Sequence, residues 1–322
     1  MNEIKAKILC FSYKLLSRFN RQLATAIFYG GGYKSYGNKN EDSTVYVIRR
    51  NNKHVGLCSY MVTALGHLGY ADSENMLPVI DMMYHENTYM SFSELGKKNA
   101  WEYFFEQPSK VTLKDAYKSS KVLLSSGMGL DYQPNVSVEF FNNTDGQMDY
   151  WKQIYKKYIK FSPEVQKLMD DEMHKILLNG ERVLGVSCRG TDYLKLRPKN
   201  HPVQPEPSLV IEKVAEVFKE GNYNKIFLAT EDRTIYEAFK ERFGDIVVIN
   251  DKHFHQYTGG LIGDVSDERE NDKYYTGLEY LTTIYVLSKC TSIIAGRVNG
   301  TVIAALMNDS YEYSYYWDLG VY

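Results

Sequence analysis

The chain is organised around Val183-Leu-Gly-Val-Ser-Cys-Arg-Gly-Thr-Asp192. An apolar run stops abruptly at Arg-Gly-Thr-Asp. A short apolar run closed by glycine and a small polar residue reads as a buried strand ending in a loop. In an open α/β sheet, ligands bind in the crevice at the carboxyl ends of the strands. Arg189 stands at such an end. A guanidinium is always charged, and its fork of donors matches phosphate oxygens two at a time. The plainer reading is that Arg189 pairs with Asp192 or caps a loop, and the stretch alone leaves both open.

Downstream, the same alternation repeats. Beyond the strand at 183–188, strands are predicted at 226–229, 246–249 and 292–295, and helices at about 208–219, 233–243, 277–288 and 300–307. The first of these helices follows Pro207 and buries Val210, Val214 and Val217. The second is capped by Asp232, buries Ile235, Phe239 and Phe243, and ends at Gly244. Repeated βα units imply a parallel sheet with right-handed crossovers.

The loops after these strands should open on one sheet edge. They carry Arg189-Gly190-Thr191-Asp192, Thr230-Glu231-Asp232 and the run from Gly296 to Asn299-Gly300-Thr301. The last begins a helix, whose free N–H groups and dipole favour an anion. Arg189 facing it would complete a diphosphate clamp. Glu231 or Asp232 would then accept hydrogen bonds from a ribose or a guanine edge. Asp232 and Asn299 also have the simpler reading of helix caps.

Upstream, residues 1–29 set Lys5, Lys7, Lys14, Arg18 and Arg21 against Glu3 alone. Ile4, Ile8, Phe11, Leu15, Leu16 and Phe19 recur at helical spacing, predicting one basic amphipathic helix. Two readings follow: peripheral contact with an anionic membrane, or a helix packed on the body with a solvated basic face. Gly30-Gly-Gly32 and the polar run to residue 43 read as a flexible connector. A strand at 45–48, a turn containing Gly56 and Ser59, a helix with Met61, Leu65 and Leu68, and a strand at 77–81 make a βαβ unit. A helix is predicted over 91–105, a shorter one at 113–117 and a strand at 122–124. Residues 148–179 read as helical with a break at Ser162-Pro163. The expected division is 1–43 as helix and connector, 44–180 as the N-terminal domain and 181–322 as the C-terminal domain.

A chain of 322 residues suffices for two domains with their own cores. A net charge of −2 argues against a nucleic-acid partner. Cys10, Cys58, Cys188 and Cys290 form neither a close pair nor a metal spacing, which fits a reducing cytosol. No apolar run reaches the length of a membrane span, and the N-terminus lacks the apolar core of a signal peptide. A cytoplasmic location, with peripheral membrane contact at most, is the expectation.

The segment apolar-x-apolar-x-Arg189-x-Thr191-Asp192 resembles a motif of the fucosyltransferases that make α1,2-, α1,6- and protein O-linked fucose. There it usually reads His-x-Arg-x-x-Asp, with the arginine on the donor diphosphate; Ser187 stands here where histidine is usual. Ile226-Phe-Leu-Ala-Thr-Glu-Asp232 is similar to the family's Leu-Ala-Thr-Asp-Asp segment. The run from Gly277 to Cys290 resembles its last nucleotide-side helix, with Thr283 where an aspartate often reads the base and Glu279 the nearest acid. His201-Pro202 resembles the family's His-Pro, and Gly56-Leu-Cys-Ser-Tyr60 resembles its N-domain glycine turn, with Cys58 and Tyr60 departing from it. The likeness covers about residues 183–307, more thinly 54–81.

The resemblance implies an α/β GT-B fold, two Rossmann-like domains facing across a cleft, the C-terminal one holding the nucleotide sugar. It implies a metal-independent inverting glycosyltransferase of bacterial surface-glycan type, moving fucose from GDP-fucose to a glycan or lipid-linked glycan in polysaccharide or glycoconjugate synthesis. No other cofactor is expected. The chain has no Asp-x-Asp pair, so Arg189 and the helix start at Asn299–Thr301 would neutralise the departing diphosphate. Asp81, Glu86 and Glu102 are candidate bases, with Asp81 best placed at a strand end. A sugar-nucleotide epimerase of the same fold and a non-catalytic nucleotide-sugar-binding subunit remain as alternatives.

Overall fold

The structure, a computed structural model, describes residues 3–50, 54–178, 180–190, 196–254 and 269–322. The chain forms two compact units. One comprises Met1–Pro134 and Tyr150–Val165, the other Asn135–Asp149 and Gln166–Tyr322.

In the first unit the elements run α1 (Glu3–Ser17), α2 (Arg21–Tyr29), β1 (Gly32–Lys34), β2 (Val45–Arg49), α3 (Leu57–Ser73), β3 (Leu77–Asp81), α4 (Leu113–Ala116) and β4 (Val122–Leu124). The described strands form one sheet in the order β1-β4-β2-β3. β2 is parallel to β3 and β4, and β1 is antiparallel to β4. α3 supplies the crossover that parallel neighbours require. It is buried along most of its length. Gly69 permits this: a Cβ there would stand 2.9 Å from the Trp151 ring. A second apolar centre stacks Trp101 on Phe105 at 4.3 Å and Phe105 on Phe161 at 5.5 Å.

Three expectations for this region need correction. Residues 1–29 form two helices, because the Asn20 side chain accepts from the Leu23 N–H and starts α2 afresh. The stretch after Gly30 is no loose connector: β1 pairs with β4, and Arg49 Nη2 donates to Tyr29 O at 3.3 Å and Gly30 O at 3.1 Å. Residues 91–105 do not form a helix; they run through turns to a short 3₁₀ helix, Ala100–Tyr103. Gly96 sits at φ +79°, outside helical geometry. Asn99 is pulled to the β3 edge, accepting from Met82 N–H and donating to Ile80 O.

The chain then passes between the units through α5 (Val138–Phe141), α6 (Gln147–Tyr158) and α7 (Pro163–Ile176). α7 starts where the Ser162-Pro163 signal put it, with Ser162 Oγ accepting from Val165 N–H.

The second unit continues with β5 (Val183–Ser187), α8 (Pro207–Glu220), β6 (Lys225–Ala229), α9 (Arg233–Phe243), β7 (Val247–Val248), α10 (Asp272–Lys289), β8 (Ser292–Ala295), α11 (Asn299–Met307) and β9 (Ser314–Tyr316). The sheet order is β7-β6-β5-β8-β9, every pairing parallel. The strand expected at 246–249 is only Val247–Val248. β9 escapes prediction because Ser314-Tyr-Tyr316 sits in a tyrosine-rich tail with no apolar run. Val210, Val214, Ile235 and Phe239 pack one face of this sheet.

β5 is central and buried at every residue. A Cβ on Gly185 would stand 2.8 Å from Leu287 Cδ1 and 3.1 Å from Cys290 Cβ, so the glycine lets α10 lie close on the strand. Gly185→Val overpacks that contact and should cost about 1–3 kcal/mol. Urea unfolding checks this; an unchanged midpoint would show that α10 can yield there.

Candidate functional site

The parallel register aligns the strand ends of the second unit. Ser187 stands opposite Ala229 on β6 and Ala295 on β8. The loops after β5, β6 and β8 therefore leave the same edge, as expected.

Arg189 follows β5 with its side chain only 18% exposed. Its Nε lies 3.5 Å from Glu231 Oε1, and that oxygen also accepts from Gly190 N–H at 3.1 Å. Glu231 thus ties the loop after β6 to the loop after β5. Gly190 serves close approach: a Cβ there would stand 2.6 Å from Asp232 Oδ2 and 2.8 Å from Ile235 Cδ1. Asp232 caps α9, its Oδ1 accepting from Thr234 N–H at 2.9 Å and Oγ1–H at 2.6 Å. Thr230 is buried; its Oγ1 accepts from Asp232 N–H. Ser187 is buried at the end of β5, and its carbonyl accepts from Gly296 N–H. Thr191 and Asp192 lie outside the described residues.

α11 begins beside this edge. Val298 provides no side-chain cap, so no side chain at that position competes for the first-turn N–H groups. Gly300 admits the Tyr280 hydroxyl, 2.5 Å from where its Cβ would be. Thr301 is wholly buried and donates to Gly296 O, a structural role. Asn299 is the first helical residue and is half-buried. Arg297 is committed elsewhere: its Nε donates to Trp317 O and its Nη2 to Asp318. His201 is exposed and tied to the chain end, its carbonyl accepting from Tyr322 N–H. Thr283, in the expected base-reading position, is buried with its Oγ1 2.7 Å from Asn250 Oδ1 and 2.8 Å from Glu279 O.

The sequence reading missed Lys252. It follows β7, and its Nζ donates to Thr230 O at 2.5 Å. Burial pulls its ammonium down to about 8, against the opposing pull of Glu231 and Glu279. The polar run Asn250-Asp251-Lys252-His253 after a fourth parallel strand was the available signal. Lys252 also borders a cavity of about 930 Å³, lined further by Glu172, Lys175, Arg269 and Glu279. That cavity lies toward α7 and α10, and Arg189, Glu231 and Asn299 are not among its lining residues. The strand edge is the better candidate, because it joins a guanidinium to an uncapped helix start. Among the described residues, no group of three His, Cys, Asp or Glu is placed to hold a metal.

In the first unit, Gly56 precedes α3, whose Leu57 N–H is taken by the Tyr89 hydroxyl. Ser59 O accepts from Arg50 Nη1 at 2.6 Å. Asp81 does not suit the role of base. It is wholly buried, its Oδ1 accepting from Met83 and Tyr84 N–H and its Oδ2 from Tyr117 O–H at 2.7 Å. A carboxylate so enclosed holds a turn and cannot meet an acceptor hydroxyl. Glu86 pairs with Lys14, and Glu102 accepts from Gln107.

No family model matches the chain, and no curated protein matches its sequence. Among solved structures it is similar to POFUT1 in complex with GDP at 9% identity, over 86% of this chain and 98% of that one, with a TM-score of 0.51. It is also similar to fucosyltransferase NodZ from Bradyrhizobium at 16% identity, over 84% of this chain and 94% of that one, with a TM-score of 0.45. A further match is NodZ α1,6-fucosyltransferase soaked with GDP-fucose, at 16% identity, over 83% and 92%, with a TM-score of 0.46. The likeness to POFUT1 is one of fold. This chain has an α/β fold similar to that of POFUT1, with a wholly parallel sheet in the second unit.

His85 makes the buried Asp81 cluster testable. Its Nε2 lies 3.7 Å from Asp81 Oδ2 and makes no hydrogen bond among the described residues. Burial pushes the imidazole from 6.5 down to about 4. Between those values the unfolded chain binds a proton that the folded chain does not. Stability should therefore be intact above pH 6.5 and fall as pH drops toward 4, by up to roughly 3 kcal/mol from this site. His85→Gln should flatten that part of the stability–pH curve in urea unfolding; an unchanged slope would assign the acid sensitivity to other groups.

Proposed function

We propose that this protein is a metal-independent, inverting glycosyltransferase that moves fucose from GDP-fucose to a glycan or lipid-linked glycan acceptor in polysaccharide or glycoconjugate synthesis. One observation carries the reading: Arg189, nearly buried and held by Glu231, stands at the same sheet edge as the uncapped start of α11. A guanidinium and a helix N-terminus together suit a diphosphate. The fold likeness to POFUT1, a protein solved with GDP, is consistent with a nucleotide donor.

In this reading the bond from the sugar C1 to the β-phosphate oxygen breaks as the acceptor hydroxyl oxygen attacks from the opposite face and forms the new bond to C1, the hydroxyl proton passing to solvent water. Negative charge grows on the diphosphate, and Arg189 and the first-turn N–H groups of α11 stabilise it. Glu231 acts through Arg189, fixing the guanidinium before charge develops. Thr230, Gly190 and Asp232 shape the loops around the donor. With Asp81, Glu86 and Glu102 held in structural contacts, stabilisation of the leaving group supplies most of the acceleration.

A preorganised donor aimed at developing charge contributes about 3–4 kcal/mol, or about 10²–10³ in rate. Arg189→Ala should lose at least that in turnover of GDP-fucose while its thermal melt stays close to the parent's. Calorimetric titration of GDP, UDP, GDP-fucose and GDP-mannose in EDTA tests the donor directly. GDP and GDP-fucose should bind, and bind more weakly to Arg189→Ala. Preference for UDP would discard fucose; full turnover in a folded Arg189→Ala would remove Arg189 from the mechanism.

A further inference from the structure

On α1, Ile4, Ile8, Phe11 and Leu15 follow each other at steps of four, three and four and so share one helix face. All four are exposed, Ile4 at 68% and Phe11 at 67%. The opposite face is the packed one, with Ala6 and Cys10 buried. On α2, Leu23 and Ile27 stand one turn apart and are exposed, while Ala24 and Tyr29 are buried. Phe19, in the turn between the helices, is 81% exposed. Large apolar side chains turned outward on both arms of a hairpin are not an ordinary protein surface.

Charge selects the occupant. Arg18 and Arg21 flank Phe19, both are exposed, and neither has an ion-pair partner among the described residues. Lys7 and Lys14 are already engaged with Glu3 and Glu86. Open positive charge therefore collects at the hairpin tip, around the most exposed aromatic ring. A second copy seated on this face by two-fold symmetry would bring two basic tips into one interface. Lipid phosphates would neutralise them instead, while the ring and aliphatic stripe enter the boundary between headgroups and acyl chains.

We propose that the α1–α2 hairpin docks this protein on an anionic lipid surface, with Ile4, Ile8, Phe11, Leu15 and Phe19 as the inserted face and Arg18 and Arg21 as the headgroup contacts. The docking requires no donor and no acceptor, so it stands or falls apart from the proposed reaction.

The test is co-sedimentation of the full chain with phosphatidylcholine vesicles and with vesicles of equal parts phosphatidylcholine and phosphatidylglycerol. The chain should bind the anionic vesicles at least about tenfold better, and less well as salt is raised. Phe11→Asp with Phe19→Asp should lower anionic binding by about tenfold or more, with an unchanged thermal melt because both rings are exposed. Arg18→Gln with Arg21→Gln should narrow the preference for anionic vesicles. Failure of the parent chain to bind anionic vesicles, or equal binding by the Phe11/Phe19 variant, overturns the proposal. So does a concentration-dependent dimer in analytical sedimentation that this variant abolishes while vesicle binding is absent, since the second copy would then be the occupant.

Discussion

In the second unit, β5 pairs in parallel with β6 on one side and β8 on the other, and it is buried at every position. A parallel pair has a single productive register, because a slip of one residue would turn every side chain to the other face. That register puts Ser187, Ala229 and Ala295 level, and the loops that follow inherit the alignment. Arg189, Glu231 and the start of α11 are gathered by the sheet rather than by attraction to one another. Gly185 and Gly190 are the steric conditions of this arrangement, the first admitting α10 to the strand and the second admitting the start of α9 to the arginine loop.

Polar residues at the strand ends divide into those that hold the backbone and those that the proposed reading assigns to the donor. Asp232, Thr301 and Arg297 belong to the first group, since each satisfies backbone groups that would otherwise be unpaired. Glu231 stands between the groups: its Oε1 accepts from the Gly190 backbone N–H and lies 3.5 Å from Arg189 Nε as an ion pair. In the first unit the same logic makes Asp81 the keystone of the turn after β3. Its neighbours there are Tyr117, whose hydroxyl proton burial and the adjacent carboxylate hold more tightly than usual, and a His85 kept neutral by burial. A cluster of this kind stabilises a fold at neutral pH and makes it acid-sensitive.

The N-terminal hairpin follows another rule. Elsewhere, apolar periodicity marks the face turned to the core, as on α8 with Val210, Val214 and Val217. On α1 the periodic residues are exposed and the small residues Ala6 and Cys10 are buried. Periodicity reports that a helix has two faces. Which of them meets protein depends on the surface it lies against.

Most strands and helices were legible from local pattern: β3, β4, β8 and α9 span the residues that alternation, caps and glycine stops assign. Fold class followed, because repeated βα units admit few topologies. The loops bearing Arg189, Glu231 and Asn299 were legible too, since each follows an apolar run. Side-chain commitments were not. Sequence shows that Asp81 ends a strand but not that Met83, Tyr84 and Tyr117 enclose it, and it shows Lys252 in a polar loop but not its contact with Thr230 O. Local pattern is written by backbone geometry and burial, which act over a few residues. Hydrogen-bond partners and exposure are set by residues distant in sequence, and only the tertiary structure brings those together.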